Sequence, residues 1–130
     1  MLMESTMDIT PVIPAGRQII SAYGDGNFRI AGIVWSSPVL VFPTFSCSWD
    51  VSSPESLSAG SFRPVQEYKP GIEIVLIGGG RTSPFLPTSL RQVLGEMFAS
   101  CDVMDTGAAC RTFNVLLAED RRVAAALFPV

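Results

Sequence analysis

Residues 103–119, VMDTGAACRTFNVLLAE, decide how this chain is read. A short apolar run ends in Asp105-Thr106-Gly107, and a helical pattern begins at once. On a helical wheel Ala109, Phe113, Leu116 and Leu117 form one apolar face, with Arg111, Ala118 and Glu119 opposite. Cys110 and Asn114 flank that face one turn apart, so they are neighbours. A strand, a Gly-containing turn and a helix N-terminus are the parts from which phosphate and nucleophile sites are often built.

Working outward from this segment, residues 72–80, IEIVLIGGG, are almost wholly apolar, as strands buried on both faces of a parallel sheet are. In 89–100, SLRQVLGEMFAS, the residues Leu90, Val93, Leu94, Met97 and Phe98 recur with helical spacing. Ser89 with Gln92 three residues on fits a capping box. Residues 101–105, CDVMD, read as a short strand; in the tail the Ala residues favour a continued helix, but Val123 to Phe128 has strand length and Arg121-Arg122 suit a helix C-terminus, so a last strand is expected. The second half is therefore β-α-β-α-β. Right-handed crossovers make its strands parallel neighbours with helices on the faces. Ligands of such sheets bind beyond the carboxyl ends of the strands. Gly78, Gly79, Gly80 and Arg81 follow one strand, and Asp105, Thr106 and Gly107 follow the next, so both turns are expected on one edge.

The first half reads as antiparallel β. Residues 17–35 hold two apolar runs around Gly24-Asp25-Gly26-Asn27, a hairpin signal. Gly32 inside the second run suggests a bulge or a close backbone approach. Residues 38–50, PVLVFPTFSCSWD, give a third strand, bounded by Pro38 and interrupted by Pro43. The Ser- and Pro-rich stretch from Ser52 to Pro70 reads as a loop or short irregular helix, packed down by Trp49, Phe62 and Tyr68. The expected fold class is α/β: one domain over 1–130 with an extended segment at 1–16, N-terminal antiparallel strands, and a C-terminal β-α-β-α-β unit. Together these strands form a mixed sheet with two main helices.

Composition narrows the chemistry. With 130 residues and 48% apolar content, the chain has the size of one domain and is not of disordered type. It contains no His, which removes Ser-His and Cys-His pairs, His general bases and His metal ligands from within the chain. Its three Cys have no C-x-x-C spacing, so no metal or other cofactor is expected, and they read as reduced thiols. Nine basic against twelve acidic residues, dispersed apart from Arg121-Arg122, make a poor nucleic-acid footprint. No apolar run approaches the roughly 18 residues of a membrane span. The N-terminal stretch has neither a secretory nor a transit pattern, so a cytoplasmic location is expected.

The motifs leave alternatives open. GGGRTS matches neither G-x-G-x-x-G nor G-x-x-x-x-G-K-[ST]; it is a tight turn over the sheet edge or an anion cradle with Arg81. Asp105-Thr106-Gly107 looks like the aspartic-protease triplet, but it occurs once and leads into a helix. Asp105 or Thr106 capping that helix is the stronger reading. Cys110 near a helix start could have a lowered pKa, though no His is present to activate it. Arg111 can bind a carboxylate or phosphate bidentately, and Asn114 can hold a partner's backbone.

Residues 72–94, IEIVLIGGGRTSPFLPTSLRQVL, and 103–127, VMDTGAACRTFNVLLAEDRRVAAAL, resemble a family of small single-domain α/β proteins. That family includes the mitochondrial assembly factor three for respiratory complex I and the adipogenesis-associated protein with the same domain. The FLP before the helix and the core of residues 27–43, NFRIAGIVWSSPVLVFP, fit it too. The resemblance implies a compact α/β domain with a mixed sheet and protein contacts during assembly, and it offers no catalytic residues. The resulting expectation is a non-catalytic interaction or assembly module whose partner is another protein. The alternative is a small-anion binder or weak enzyme. In either case the working surface is the edge formed by Gly78, Gly79, Gly80, Arg81, Asp105, Thr106, Gly107, Cys110, Arg111 and Asn114.

Overall fold

The structure, a computed structural model, describes residues 16–130. Of the extended segment expected at 1–16, all but Gly16 lies outside the described residues. Strands β1 (Ile20–Gly24), β2 (Asn27–Ile30) and β3 (Ile33–Trp35) form a three-stranded antiparallel sheet. Both of its turns have two residues, Asp25-Gly26 at φ 53° and 77° and Ala31-Gly32 at φ 49° and 82°. Paired positive φ values match the right-handed twist of the strands they join. Gly32 thus closes a second hairpin and is not a bulge; the irregularity in pairing falls instead between Ile20 and Ala22.

The Pro38–Asp50 stretch folds as two strands, β4 (Val39–Val41) and β5 (Ser46–Ser48). Pro43, which has no N–H to donate, sits in the turn between them, where Phe42 N–H donates to the Phe45 carbonyl at 2.8 Å. Residues 52–70 pack down as two short 3-10 turns and the five-residue helix α1 (Arg63–Glu67). The remainder is β6 (Ile74–Gly78), α2 (Thr88–Met97), β7 (Ser100–Met104), α3 (Thr106–Ala118) and β8 (Val123–Leu127). A five-stranded mixed sheet has the order β5-β4-β8-β6-β7, with β6 parallel to both β7 and β8 and β4 antiparallel to β8. The chain is therefore α/β with a parallel crossover unit, while the N-terminal hairpin strands form a sheet of their own.

The capping box expected at Ser89 is absent. α2 starts at Thr88 with Pro87 as its cap residue and no side-chain cap, so Ser89 already lies in the first turn and cannot precede it. The strands alternate strictly between two cores. Val39, Val41, Ile74, Leu76, Val123, Ala125 and Leu127 face α3 and the hairpin sheet. Leu40, Val75, Ile77, Ala124, Ala126 and Phe128 face α2, Trp49 and Phe62. This period-two alternation, buried on both sides, explains why the strand sequences read as unbroken apolar runs.

Candidate functional site

The turns after β6 and β7 do lie side by side, joined by backbone bonds. Gly79 N–H donates to the Met104 carbonyl at 3.0 Å, and Thr106 N–H donates to the Gly80 carbonyl at 2.8 Å. Thr106 is wholly buried, and its hydroxyl joins three segments. Its Oγ1 accepts from Gly80 N–H at 2.9 Å and donates to the Phe128 carbonyl at 2.7 Å. Asp105 Oδ1 accepts from Ala108 N–H at 2.8 Å, so the acid caps α3 and occupies a first-turn donor.

The glycines serve close packing. A Cβ on Gly78 would stand 2.9 Å from Thr106 Cα and 3.0 Å from Ala109 Cβ, so α3 lies directly on β6. A side chain on Gly79 would collide with the Pro84 ring. On Gly107 a Cβ would fall 2.6 Å from the Tyr23 hydroxyl, which nests against the first turn of α3. Arg111 Nη1 donates to that hydroxyl at 2.9 Å.

Asn114 does hold a backbone segment, but one of this chain. Its Oδ1 accepts from Ile20 N–H at 2.9 Å and its Nδ2 donates to the Ile20 carbonyl at 2.8 Å. The amide thus pairs with β1 as a neighbouring strand would, clamping the hairpin sheet to α3. Cys110 is buried, and desolvation pushes its thiol from an ordinary 9.0 up to about 12, against a smaller opposing pull from Arg111. The lowered pKa that a helix start could have conferred is therefore reversed by burial, and Cys110 is a small core residue.

All ten candidate residues are brought to one edge and the adjoining face, yet most of their polar groups are turned inward. Two depressions remain open, one of about 400 Å³ lined by Tyr23, Gly80, Arg81, Asp105, Gly107 and Val130, and one of about 330 Å³ lined by Ile20, Ser21, Tyr23, Cys110, Arg111 and Asn114. Arg81 is exposed and makes no ion pair among the described residues. Also among the described residues, no cluster of three or more His, Cys, Asp or Glu side chains could hold a metal, and no helix is long and apolar enough to cross a membrane. Tyr23 was not legible as part of this edge, because nothing in a hairpin strand's own sequence says which helix its hydroxyl meets.

The fold and edge define a small α/β module whose sheet-edge turns are joined by internal hydrogen bonds. The chain belongs to the family described as "Protein of unknown function (DUF498/DUF598)", which it matches over residues 20–128. It is 33% identical over 110 residues to the mouse (Mus musculus) protein named NADH dehydrogenase (ubiquinone) 1 alpha subcomplex assembly factor 3, covering 85% of this chain and 60% of that one. The chain thus spans 60% of the length of that relative. A crystal structure described as an outer membrane protein from Bartonella henselae matches with a TM-score of 0.78 and 44% identity, over 88% of this chain and 97% of that one. A solution structure from Bordetella pertussis, described as an Mth938-like domain, matches with a TM-score of 0.76 and 27% identity, over 95% and 92% of the two chains.

Proposed function

We propose that this protein is a non-catalytic interaction module that acts in the assembly of a larger protein complex, as the name of its assembly-factor relatives suggests. One observation carries the reading: the conspicuous polar residues of the carboxyl edge are spent on this chain itself. Thr106 bonds Gly80 and Phe128, Asn114 bonds Ile20, and the Cys110 thiol is buried and kept protonated. No nucleophile lining either depression has a base beside it; Cys110, which lines the smaller one, has Arg111 and Asn114 as neighbours there. A small-anion site at Arg81 has less support, because Asp105 both occupies the Ala108 N–H and places a carboxylate at the same mouth. Two measurements separate the classes. The tagged protein, purified from its native cells, should bring down a specific partner protein. A panel of phosphorylated and carboxylated metabolites should leave the melting temperature unchanged, since a bound ligand would raise it by mass action. A metabolite that raises it by several degrees, with the gain abolished by Arg81→Ala, would replace the assembly reading with the ligand one.

A further inference from the structure

Tyr23 stands where three depressions meet, and they differ in charge. The one of about 400 Å³ holds both Arg81 and Asp105. One of about 290 Å³ on the hairpin sheet holds both Arg29 and Asp25. The third, about 330 Å³ between β1 and α3, is lined by Arg111 and by no acid among the described residues. Its buried wall feels the same sign. Burial pushes the Cys110 thiol up to about 12, and Arg111, the one charge among the described residues that acts on it, pulls the other way. Arg111 itself is exposed and makes no ion pair among the described residues.

The polar side chains that share this depression with Arg111 have their acceptors turned elsewhere. Asn114 Oδ1 accepts from Ile20 N–H, Tyr23 Oη accepts from Arg111 Nη1, and Ser21 Oγ is turned to the Arg29 carbonyl at 3.4 Å. Donors remain. The guanidinium keeps N–H groups beyond the one given to Tyr23, and a phenol that accepts a bond still has its own O–H to donate. The protein group that only accepts, carries negative charge and meets a guanidinium through two oxygens is a carboxylate. Arg111 is set in place for one: Tyr23 Oη, which holds it, rests against Gly107, where a Cβ would stand 2.6 Å away. The shoulders of the depression are apolar. Val115 is exposed one turn along α3 from Arg111. On the hairpin side Ala22, also in the lining, lies in one cross-strand row with Arg29 and the exposed Val34.

We propose that this depression is the docking surface of the module, and that it receives an Asp or Glu side chain of the partner protein on Arg111 and Tyr23, with apolar residues of the same partner on Val115 and Val34. Arg and Tyr are among the side chains that dominate protein interfaces. A free small acid would gain one guanidinium and leave the apolar shoulders bare, with little to offset its loss of freedom on binding. The proposal rests on the assembly reading above, which supplies the expectation of a partner.

The test is made on the full chain in its native cells, with photoreactive benzoylphenylalanine replacing Val115 and the cross-linked peptide sequenced by mass spectrometry. The expected product joins position 115 to a segment of another protein that carries Asp or Glu beside apolar residues. Arg111→Ala should weaken capture of that protein by about thirtyfold, the loss typical of an interface hot spot. Arg111→Glu should abolish capture, and exchanging the partner's acid for Lys should restore it, which requires a folded chain and a direct contact. Arg91→Glu makes the same change of charge on the α2 side and should capture as the parent does. If Arg111→Glu captures its partner as well as the parent, or Arg91→Glu loses as much, this surface is wrong and the assembly reading survives. If the unaltered chain captures no specific partner, both readings fall. A Lys exchange that restores nothing overturns the pairing with a carboxylate. A cross-link from position 115 to residues 1–15 of the same chain, or to a second copy, overturns the proposed occupant. So does a rise in melting temperature with sodium glutamate or sodium succinate that Arg111→Ala abolishes.

Discussion

Helices α3 and α2 cover opposite faces of one sheet, but they are held there differently. α3 is fixed by directional bonds: an Asp cap at its start, Thr106 tied to two turns, and the Asn114 amide paired with β1. α2 has no side-chain cap and rests on area, with Leu90, Leu94 and Phe98 facing Trp49, Phe62 and Val65. The α3 side seals its polar groups inside. The α2 side leaves Val93 37% exposed on the helix and Phe85 beyond its N-terminus. Apolar surface is left on both sides, since Val115 on α3 is 57% exposed and Ile33 and Val34 of the hairpin sheet are 59% and 54% exposed.

The largest effect we expect comes from the packed side. Leu94→Ala should cost about 2–5 kcal/mol in chemical denaturation, because Leu94 is fully buried in the α2 core and truncation leaves a cavity. A loss below about 1 kcal/mol would mean that α2 can settle into the space, and that the contrast with α3 is overstated. Next is the bonded side. Thr106→Val keeps the shape but strands the Gly80 N–H and the Phe128 carbonyl, for about 2–3 kcal/mol, whereas Thr106→Ser should recover most of it. Equal losses for Val and Ser would show that the methyl group, not the hydroxyl, secures the joint.

A smaller effect, about 1 kcal/mol, is expected for Cys110→Ser, which buries a hydroxyl in place of a sulfur. Rapid labelling of Cys110 by a thiol reagent in the folded protein would contradict its burial. The same thiol gives a pH signature. Burial raises Cys110 to about 12 and Cys101 to about 11, each from an ordinary 9.0. The unfolded chain therefore ionises these groups first, so their contribution is fully present below pH 9.0 and is lost as pH rises through about 11 and about 12. Denaturation midpoints should fall on the alkaline side, and less steeply in Cys110→Ser. The least effect is expected for Phe85→Ala, within about 0.5 kcal/mol, since a residue 86% exposed contributes little to the folded chain alone.

The same contrast explains what the sequence could show. The parallel unit was legible because its strands are buried on both faces and its helices have apolar stripes: Ile74–Gly78, Leu90 and Leu94, Phe113 and Leu117 all follow from period alone. The common edge of the two turns followed from handedness. What escaped were features set by tertiary partners. Ala31-Gly32 turns a hairpin, yet from sequence Gly32 could equally have marked a bulge. Asn114 was read as a residue able to grip a backbone, but no local pattern says that the backbone is Ile20 of the same chain. Cys110 was placed near a helix start, where the local field favours a thiolate, and only the depth of the core reverses the sign.

The amide clamp between Asn114 and Ile20 spans 94 residues of sequence. A contact of such separation closes a long loop at an entropic cost, so we expect it to form late in the folding reaction. Stopped-flow measurements on Asn114→Ala should show an unfolding limb that speeds up while the refolding limb barely moves, as for a residue whose interactions form after the transition state. For the cell this makes the clamp a determinant of lifetime more than of birth: it sets how long the hairpin stays docked once the chain is made, and hence how often α3 is bared to a protease.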